Sequence, residues 1–246
     1  FGADRCVDTP LAEAGILGTA IGLCMAGWRP VCEMQYDAFS YPCLDQLINH
    51  VGRYRWRSSG GMEFPITIRM PYGGGVRAPE LHDDSPETYY VHTAGVKVVV
   101  PSTPADAYSL LRDSIESDDP TIFLEPKRRY WAKGEVDRET RTEPIGRAVI
   151  RRPGSTITVL TYGGLVATAL EAANVAMNEH GWDLEVIDLR SLVPLDTATI
   201  LASVKKTSRL FTVEENPRLC GWGAEIASIV ADEGFYSLDA PIVRIT

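Results

Sequence analysis

Short apolar strand-like runs alternate with amphipathic helical stretches along almost the whole chain, and that alternation admits few folds. Strand patterns read at "RPVCEMQY" (29–36, a buried strand), "FPITIRM" (64–70), "VKVVVP" and "TIFLEP" (121–126). Helical patterns fall between them. One opens with Pro10 at its first position, capped by Thr9 or Asp8; another runs over 41–56; short ones start at Ser85-Pro86-Glu87 and Thr103-Pro104. The segment "KRRYWAKGEVDRETRTEPIGRA" (127–148) is charged and aperiodic and reads as a linker. Beyond it the alternation resumes with "STITVLTYG", a helix through Met177, "LEVIDL", a helix over 197–206, "RLFTVEE", a helix over 222–234 and "PIVRI". The fold class is therefore α/β, two units with parallel, helix-covered sheets. A chain of 246 residues, 45% hydrophobic and 23% charged, can bury a core for one large domain or two modest ones.

The net charge of −9 argues against a nucleic-acid or anionic-membrane partner. No apolar run reaches the length of a membrane span. Cys6, Cys24, Cys32, Cys43 and Cys220 form no C-x-x-C pair, and most sit in apolar stretches, as reduced thiols of a cytoplasmic protein would. The opening "FGADR" and the closing "PIVRIT" are expected to be incomplete ends.

In open parallel sheets ligands gather at the carboxyl ends of strands. That rule selects "YDAFS" (36–40), the loop 71–85 and the first turn of the opening helix. In that helix Ile16, Leu17, Ala20 and Cys24 form an apolar stripe, and Glu13 lies three residues before Ile16 and four before Leu17. Two readings stand for Glu13: a carboxylate favoured by the helix N-terminus, or a desolvated carboxyl held to hydrogen-bond a partner in a cleft. Two stand for His82, which neighbours Asp83, Asp84 and Glu87: a solvated loop histidine, or a proton donor. The loop's three glycines have neither dinucleotide nor Walker spacing, and no spacing of His, Cys and Asp matches a metal-ligand set. Tyr36 and Phe39 read as core aromatics, and His50, His92 and His180 as structural. Glu214 and Glu215 alternate along a strand and cannot form one dyad.

Several stretches taken together resemble one family: "DTPLAEAGI", "EMQYDAFSYPCLDQLIN", "IRMPYGGG", "LHDDSPETYYVHTAGVKVVVPSTPADA", "IFLEPKR" and "EVIDLRSLVPLD". They resemble the beta subunit of the thiamine-diphosphate-dependent 2-oxo acid dehydrogenases, the decarboxylating first component of the pyruvate and branched-chain complexes. The resemblance implies a pyrimidine-binding α/β domain over 1–128, a linker over 129–147 and a transketolase C-terminal-like domain over 148–246. It implies a leading segment of several dozen residues before "FGADR" and a short tail after "PIVRIT". The "GDG…N" motif that holds Mg²⁺ and the cofactor diphosphate is absent here and belongs to the alpha subunit, so this chain is expected to hold no metal of its own at the site.

The same resemblance assigns roles. Thiamine diphosphate acts through a carbanion on its thiazolium ring, assisted by its aminopyrimidine, and that ring requires a carboxyl group sharing a proton with a ring nitrogen. Glu13 falls at the family's glutamate position, Phe39 where an aromatic ring stacks on the aminopyrimidine, and Leu11 where a residue lines the same pocket. His82 matches the histidine of the family's "H-S-Q-S-P-E" loop, which helps bind the 2-oxo acid or protonates the lipoyl sulfur. Asp83 and Asp84 replace Ser-Gln there, which leaves the role of His82 open. A monovalent cation held by backbone carbonyls is expected near 64–67 and 114–119 in some members. The implied partners are the alpha subunit and a second beta subunit in a heterotetramer, a dihydrolipoyl acyltransferase and a small 2-oxo acid. A branched-chain substrate is favoured; pyruvate or acetoin dehydrogenase and a non-catalytic scaffold are the alternatives.

Overall fold

The computed structural model describes residues 1–78 and 80–246. Each of its two sheets has five strands. The first runs in the order β1 (Val31–Glu33), β2 (Thr67–Tyr72), β4 (Thr121–Pro126), β3 (Lys97–Val99), β8 (Ser191–Val193). The second runs β10 (Val243–Ile245), β9 (Leu210–Val213), β6 (Ile157–Thr161), β7 (Leu184–Asp188), β5 (Val149–Arg152). Most neighbours are parallel, as the alternation predicts, and β4 and β6 are buried along nearly every residue.

Two edge pairings are antiparallel, β3 with β8 and β5 with β7, so the sheets are mixed rather than purely parallel. Connection length explains why β8 does not lie parallel beside β7. A parallel neighbour needs a crossover of about a dozen residues. Only Leu189 and Arg190 separate β7 from β8, and Arg190 turns the chain with φ +56°. The strand therefore leaves the second sheet and closes the edge of the first. β1 departs from the sequence reading too. It is a short edge strand with only Cys32 buried, not a buried strand over 29–36.

Six regular helices carry the layers: α1 (Glu13–Met25), α2 (Glu87–Val91), α3 (Pro104–Glu116), α4 (Leu165–His180), α5 (Thr197–Thr207) and α6 (Trp222–Glu233). Thr103 caps α3 by accepting from Asp106 N–H at 3.1 Å, and Asp196 caps α5 by accepting from Thr199 N–H at 3.1 Å. Gly181 ends α4 in the left-handed region, φ +68°, where a side chain is costly. The helix expected from Pro10 starts instead at Glu13, and neither Asp8 nor Thr9 caps it. Its N-cap is Ala12, whose N–H turns back onto the Pro10 carbonyl, and residues 1–12 lie exposed with no layer against which to fold. The helix expected over 41–56 is broken: a 3₁₀ segment Ala38–Cys43, one turn Leu44–Gln46, a π turn Leu47–Val51, then Tyr54–Arg57. Pro42 sits inside the first piece, which Asp37 caps by accepting from Ala38 N–H.

The charged segment after β4 contains only one short 3₁₀ turn but is pinned along its length. Arg141 pairs with Asp113 (2.6 Å) and Glu116 on α3. Arg190, wholly buried, donates to Thr142 Oγ1 (2.7 Å), the Glu143 carbonyl (2.8 Å) and the Arg147 carbonyl (3.1 Å). Its Nε also donates to Asp106 at 2.8 Å. Arg151 bridges Asp106 and Asp188, and Asp188 accepts from Ser102 Oγ. These buried charges join α3, the second sheet and the linker. The apolar core is likewise shared: Val98, Val100 and Leu124 of the first unit fall in one cluster with Leu160, Ile187 and Leu189 of the second.

Candidate active site

The carboxyl ends of β1, β2 and β4 bring four side chains together. Tyr36 and Phe39 follow β1, His82 lies in the long loop after β2, and Lys127 follows β4. Tyr36 and His82 meet edge-on at 4.5 Å between ring centroids, Phe39 and His82 at 5.3 Å, and Tyr36 and Phe39 at 5.7 Å. Each of the three rings is half-buried, so the cluster keeps one side open. Lys127 Nζ lies 5.5 Å from the Tyr36 ring centroid.

The loop's acids do not act on the histidine directly. Asp83 accepts from Val76 N–H (3.2 Å) and Ala78 N–H (3.1 Å), and Asp84 accepts from Tyr41 Oη at 2.8 Å. Of the residues that replace Ser-Gln, Asp83 thus staples its own loop and Asp84 ties that loop to the segment after β1. His82 Nδ1 lies 2.8 Å from the Glu80 carbonyl. An oxygen there can only accept, which puts a proton on Nδ1 and leaves Nε2 for another group.

Glu13, the first residue of α1, is half-buried on the face that buries Leu17, Ala20 and Cys24. α1 packs on the Ala38–Cys43 segment that carries Phe39, and the Glu13 charge is felt at the Cys43 thiol. Burial, with Glu13 second, pushes that thiol up to about 12. Leu11 is not gathered in; it is 81% exposed, ahead of α1. α1 also leaves Gly15, Gly18, Gly22, Leu23 and Met25 uncovered, an exposed face of small and apolar residues.

The carboxyl end of the second sheet is built differently. Glu87 of α2 is fully buried; its Oε1 accepts from Tyr162 Oη (2.6 Å) and Asn216 Nδ2 (3.0 Å). Burial raises the Glu87 carboxyl above its ordinary value, and the two hydrogen bonds draw it back. Glu214 accepts from Gly223 N–H, while Glu215 turns to Gly74 N–H and Arg128. The two glutamates, which follow β9 rather than lie in it, face apart.

At the second of the segments named for a monovalent cation, backbone carbonyls accept from an arginine of this chain. Arg29 donates to the carbonyls of Glu116 (3.1 Å) and Ser117 (3.0 Å) and pairs with Asp118. Lys97 donates to Ser117 Oγ (2.9 Å) and pairs with Asp119 (3.2 Å). Among the described residues no group of three or more His, Cys, Asp or Glu could hold a metal ion, and no helix is long and apolar enough to cross a membrane.

Comparisons with known proteins bear on this geometry. Residues 1–132 match the family model "Transketolase, pyrimidine binding domain" and residues 146–246 match "Transketolase, C-terminal domain". The 3-methyl-2-oxobutanoate dehydrogenase subunit beta of Mycobacterium tuberculosis is 54% identical over 244 residues, 99% of this chain and 70% of that protein. The chain belongs to the beta-subunit family of the 2-oxo acid dehydrogenases. Another relative of this beta subunit is the pyruvate dehydrogenase E1 component subunit beta of Leifsonia xyli, 49% identical over all of this chain and 72% of its own length. The 2-oxoisovalerate dehydrogenase subunit beta of Pseudomonas aeruginosa is 45% identical, over all of this chain and 74% of its own length. A solved structure titled "Split gene transketolase, inactive beta4 tetramer" shares the fold of the beta subunit, with a TM-score of 0.78 and 23% identity over 95% of this chain and 71% of its own.

Within that family frame the sequence reading missed Asp37 and Lys127 and took Tyr36 for core. The lysine stands in "IFLEPKR", directly after a proline that ends a buried strand. A lysine at the carboxyl end of a central strand was the available signal.

Proposed function

We propose that this beta subunit, joined to an alpha subunit, decarboxylates a branched-chain 2-oxo acid oxidatively and passes the acyl group to the lipoyl group of a dihydrolipoyl acyltransferase. The substrate reading rests on the names of the Mycobacterium and Pseudomonas relatives. One observation carries the site: Phe39 and His82 meet at an open strand end, beside the segment on which the Glu13 helix packs.

The chemistry of this donor set fits the pyrimidine half of thiamine diphosphate. When bound, the cofactor supplies the carbon nucleophile and the electron sink for loss of CO₂. Phe39 offers a ring against which the aminopyrimidine would lie, a contact of about 0.5–1.5 kcal/mol beyond burial. Glu13 offers a carboxyl to share a hydrogen with a ring nitrogen. The pocket is half a pocket, because Glu13 is half-buried and Leu11 exposed until another chain covers them. The uncovered face of α1 is where the alpha subunit would seat, bringing Mg²⁺ and the diphosphate grip; a second beta subunit completes a heterotetramer in the cytoplasm. His82, with Nδ1 held by the Glu80 carbonyl, presents Nε2 to bind the 2-oxo acid or to hand a proton to the lipoyl sulfur.

The decisive experiment uses the assembled alpha–beta enzyme. Glu13→Gln is expected to abolish turnover while the complex elutes unchanged on size exclusion, and near-normal turnover would remove the role. A panel of 3-methyl-2-oxobutanoate, pyruvate and acetoin reads the substrate; faster turnover of pyruvate or acetoin would replace the branched-chain reading.

A further inference from the structure

Lys127 is an unusual residue for the place it holds. Its side chain is 4% exposed, and the carboxylate it meets, Asp37, is wholly buried. A charged amine is held in such a place only where fixed acceptors replace its water. Lys127 Nζ donates to Asp37 Oδ2 at 3.1 Å and to the His82 carbonyl at 2.5 Å. The two acceptors belong to different loops. Asp37 caps the Ala38–Cys43 segment through Ala38 N–H (2.8 Å), which fixes the segment that carries Phe39. The His82 carbonyl belongs to the loop that begins with Gly73, Gly74 and Gly75, two of them at positive φ. That loop is pinned at Gly73, Gly74, Val76, Ala78 and Asp84, whereas its tie at His82 to the floor of the sheet is Lys127.

The lysine is itself anchored. It follows Pro126 at the end of β4, an interior strand between β2 and β3. One ammonium therefore ties the strand-end loops of β1 and β2 to a rigid strand, with Tyr36 lying beneath it and against His82. With both acceptors taken in a dry site, the amine is a poor candidate to react.

We propose that Lys127 is a positioning residue: its ammonium, shared between Asp37 and the His82 carbonyl, holds the His82 imidazole against Tyr36 and Phe39 in the orientation that acyl transfer requires. The proposal rests on the role assigned to His82 under the proposed function, and the test separates the two.

The assembled enzyme is measured in two ways, by acylation of a lipoyl domain and by decarboxylation coupled to ferricyanide. In Lys127→Met the ratio of the first rate to the second is expected to fall at least tenfold, with Lys127→Arg keeping at least a third of the wild-type ratio. The double variant with His82→Ala should be no worse than His82→Ala alone. A parallel fall of both rates, with additive losses in the double variant, would mean a structural role only and overturn the proposal. Should Lys127→Met not assemble, Asp37→Asn supplies the second variant, with a smaller fall in the same ratio; an unchanged ratio there overturns the proposal. A readout independent of activity is the rate at which diethyl pyrocarbonate modifies His82, followed by peptide mass spectrometry with His180 as control. At least a fivefold change confined to His82 in Lys127→Met supports positioning, and no change refutes it. If His82→Ala leaves the activity ratio untouched while that modification rate still shifts, the role of His82 in acyl transfer fails and the positioning by Lys127 stands.

Discussion

The carboxyl ends of the two sheets obey one topological rule and come out as opposites. At the first, loops from β1, β2 and β4 leave Tyr36, Phe39 and His82 half-buried around an open side. At the second, the corresponding crevice is filled from outside by α2, and Glu87 is sealed against Tyr162 and Asn216. Each edge holds titratable groups in a low-dielectric setting. Only the first keeps an exposed side. The comparison teaches that in this chain the first unit's strand ends keep an open side, while the second unit's equivalent edge has become a joint.

The largest effect expected from that division is at Glu13. Glu13→Gln should cost the assembled enzyme at least a hundredfold in turnover and leave the melting temperature within a degree or two; a large drop in melting temperature would make the open edge structural after all. Next comes the joint. Arg190 is wholly buried and bonded to Asp106, Thr142, Glu143 and Arg147. Arg190→Met leaves Asp106 with Arg151 and the Thr103 hydroxyl and should cost about 3–5 kcal/mol in chemical denaturation. A loss below 1 kcal/mol would show that the two units hardly lean on this network.

A smaller, pH-dependent effect belongs to Glu87. Its carboxyl is raised in the fold by burial, so the neutral form is the one the fold prefers. The stability it contributes is complete below the unfolded value of about 4.3 and is lost as pH rises through the folded value. Glu87→Gln keeps an acceptor for Tyr162 and Asn216 and should flatten the fall in melting temperature above pH 4.3. A slope identical to wild type would mean that the joint tolerates the charge. The smallest effect is on thiol reactivity. Burial pushes Cys24 up to about 11 and Cys32 and Cys43 up to about 12, while Cys6 and Cys220 are exposed. A thiol reagent should titrate two groups in the native chain and five after unfolding. Reaction of Cys43 in the native state would mean that the α1 side of the open edge is not closed.

How much of this was legible in the sequence depended on whether the signal was local. Strand and helix alternation is local, and β2, β3, β4 and all six regular helices stand close to where periodicity put them. The mixed edges were not legible, because Ser191–Val193 is three residues long and its partner, β3, lies more than ninety residues earlier. Glu13 stood out as an acid beside an apolar stripe and His82 as a loop histidine among acids, and resemblance supplied the roles. Phe39 lay in the 36–40 segment that the strand-end rule selected, but only resemblance gave it a role, since an aromatic after a strand is ordinary core material. Lys127 was hidden for the opposite reason. A lysine in a charged stretch reads as solvated, and only the fold shows that it turns inward onto Asp37. The uncapped start of α1 illustrates a further limit: Asp8, Thr9 and Pro10 spell a helix start, yet the chain needs something to lean on before the start forms there.

The fourth strand of the second half, β8, finishes the first sheet by pairing with β3. During synthesis the first half thus leaves the ribosome with its β3 border unmatched, and that border stays open until residue 193 has emerged. Cutting the chain in the charged segment would therefore not yield two self-sufficient pieces. The amino-terminal piece would carry a bare strand rim ready to pair with a stranger, so this subunit folds as one transaction between its halves.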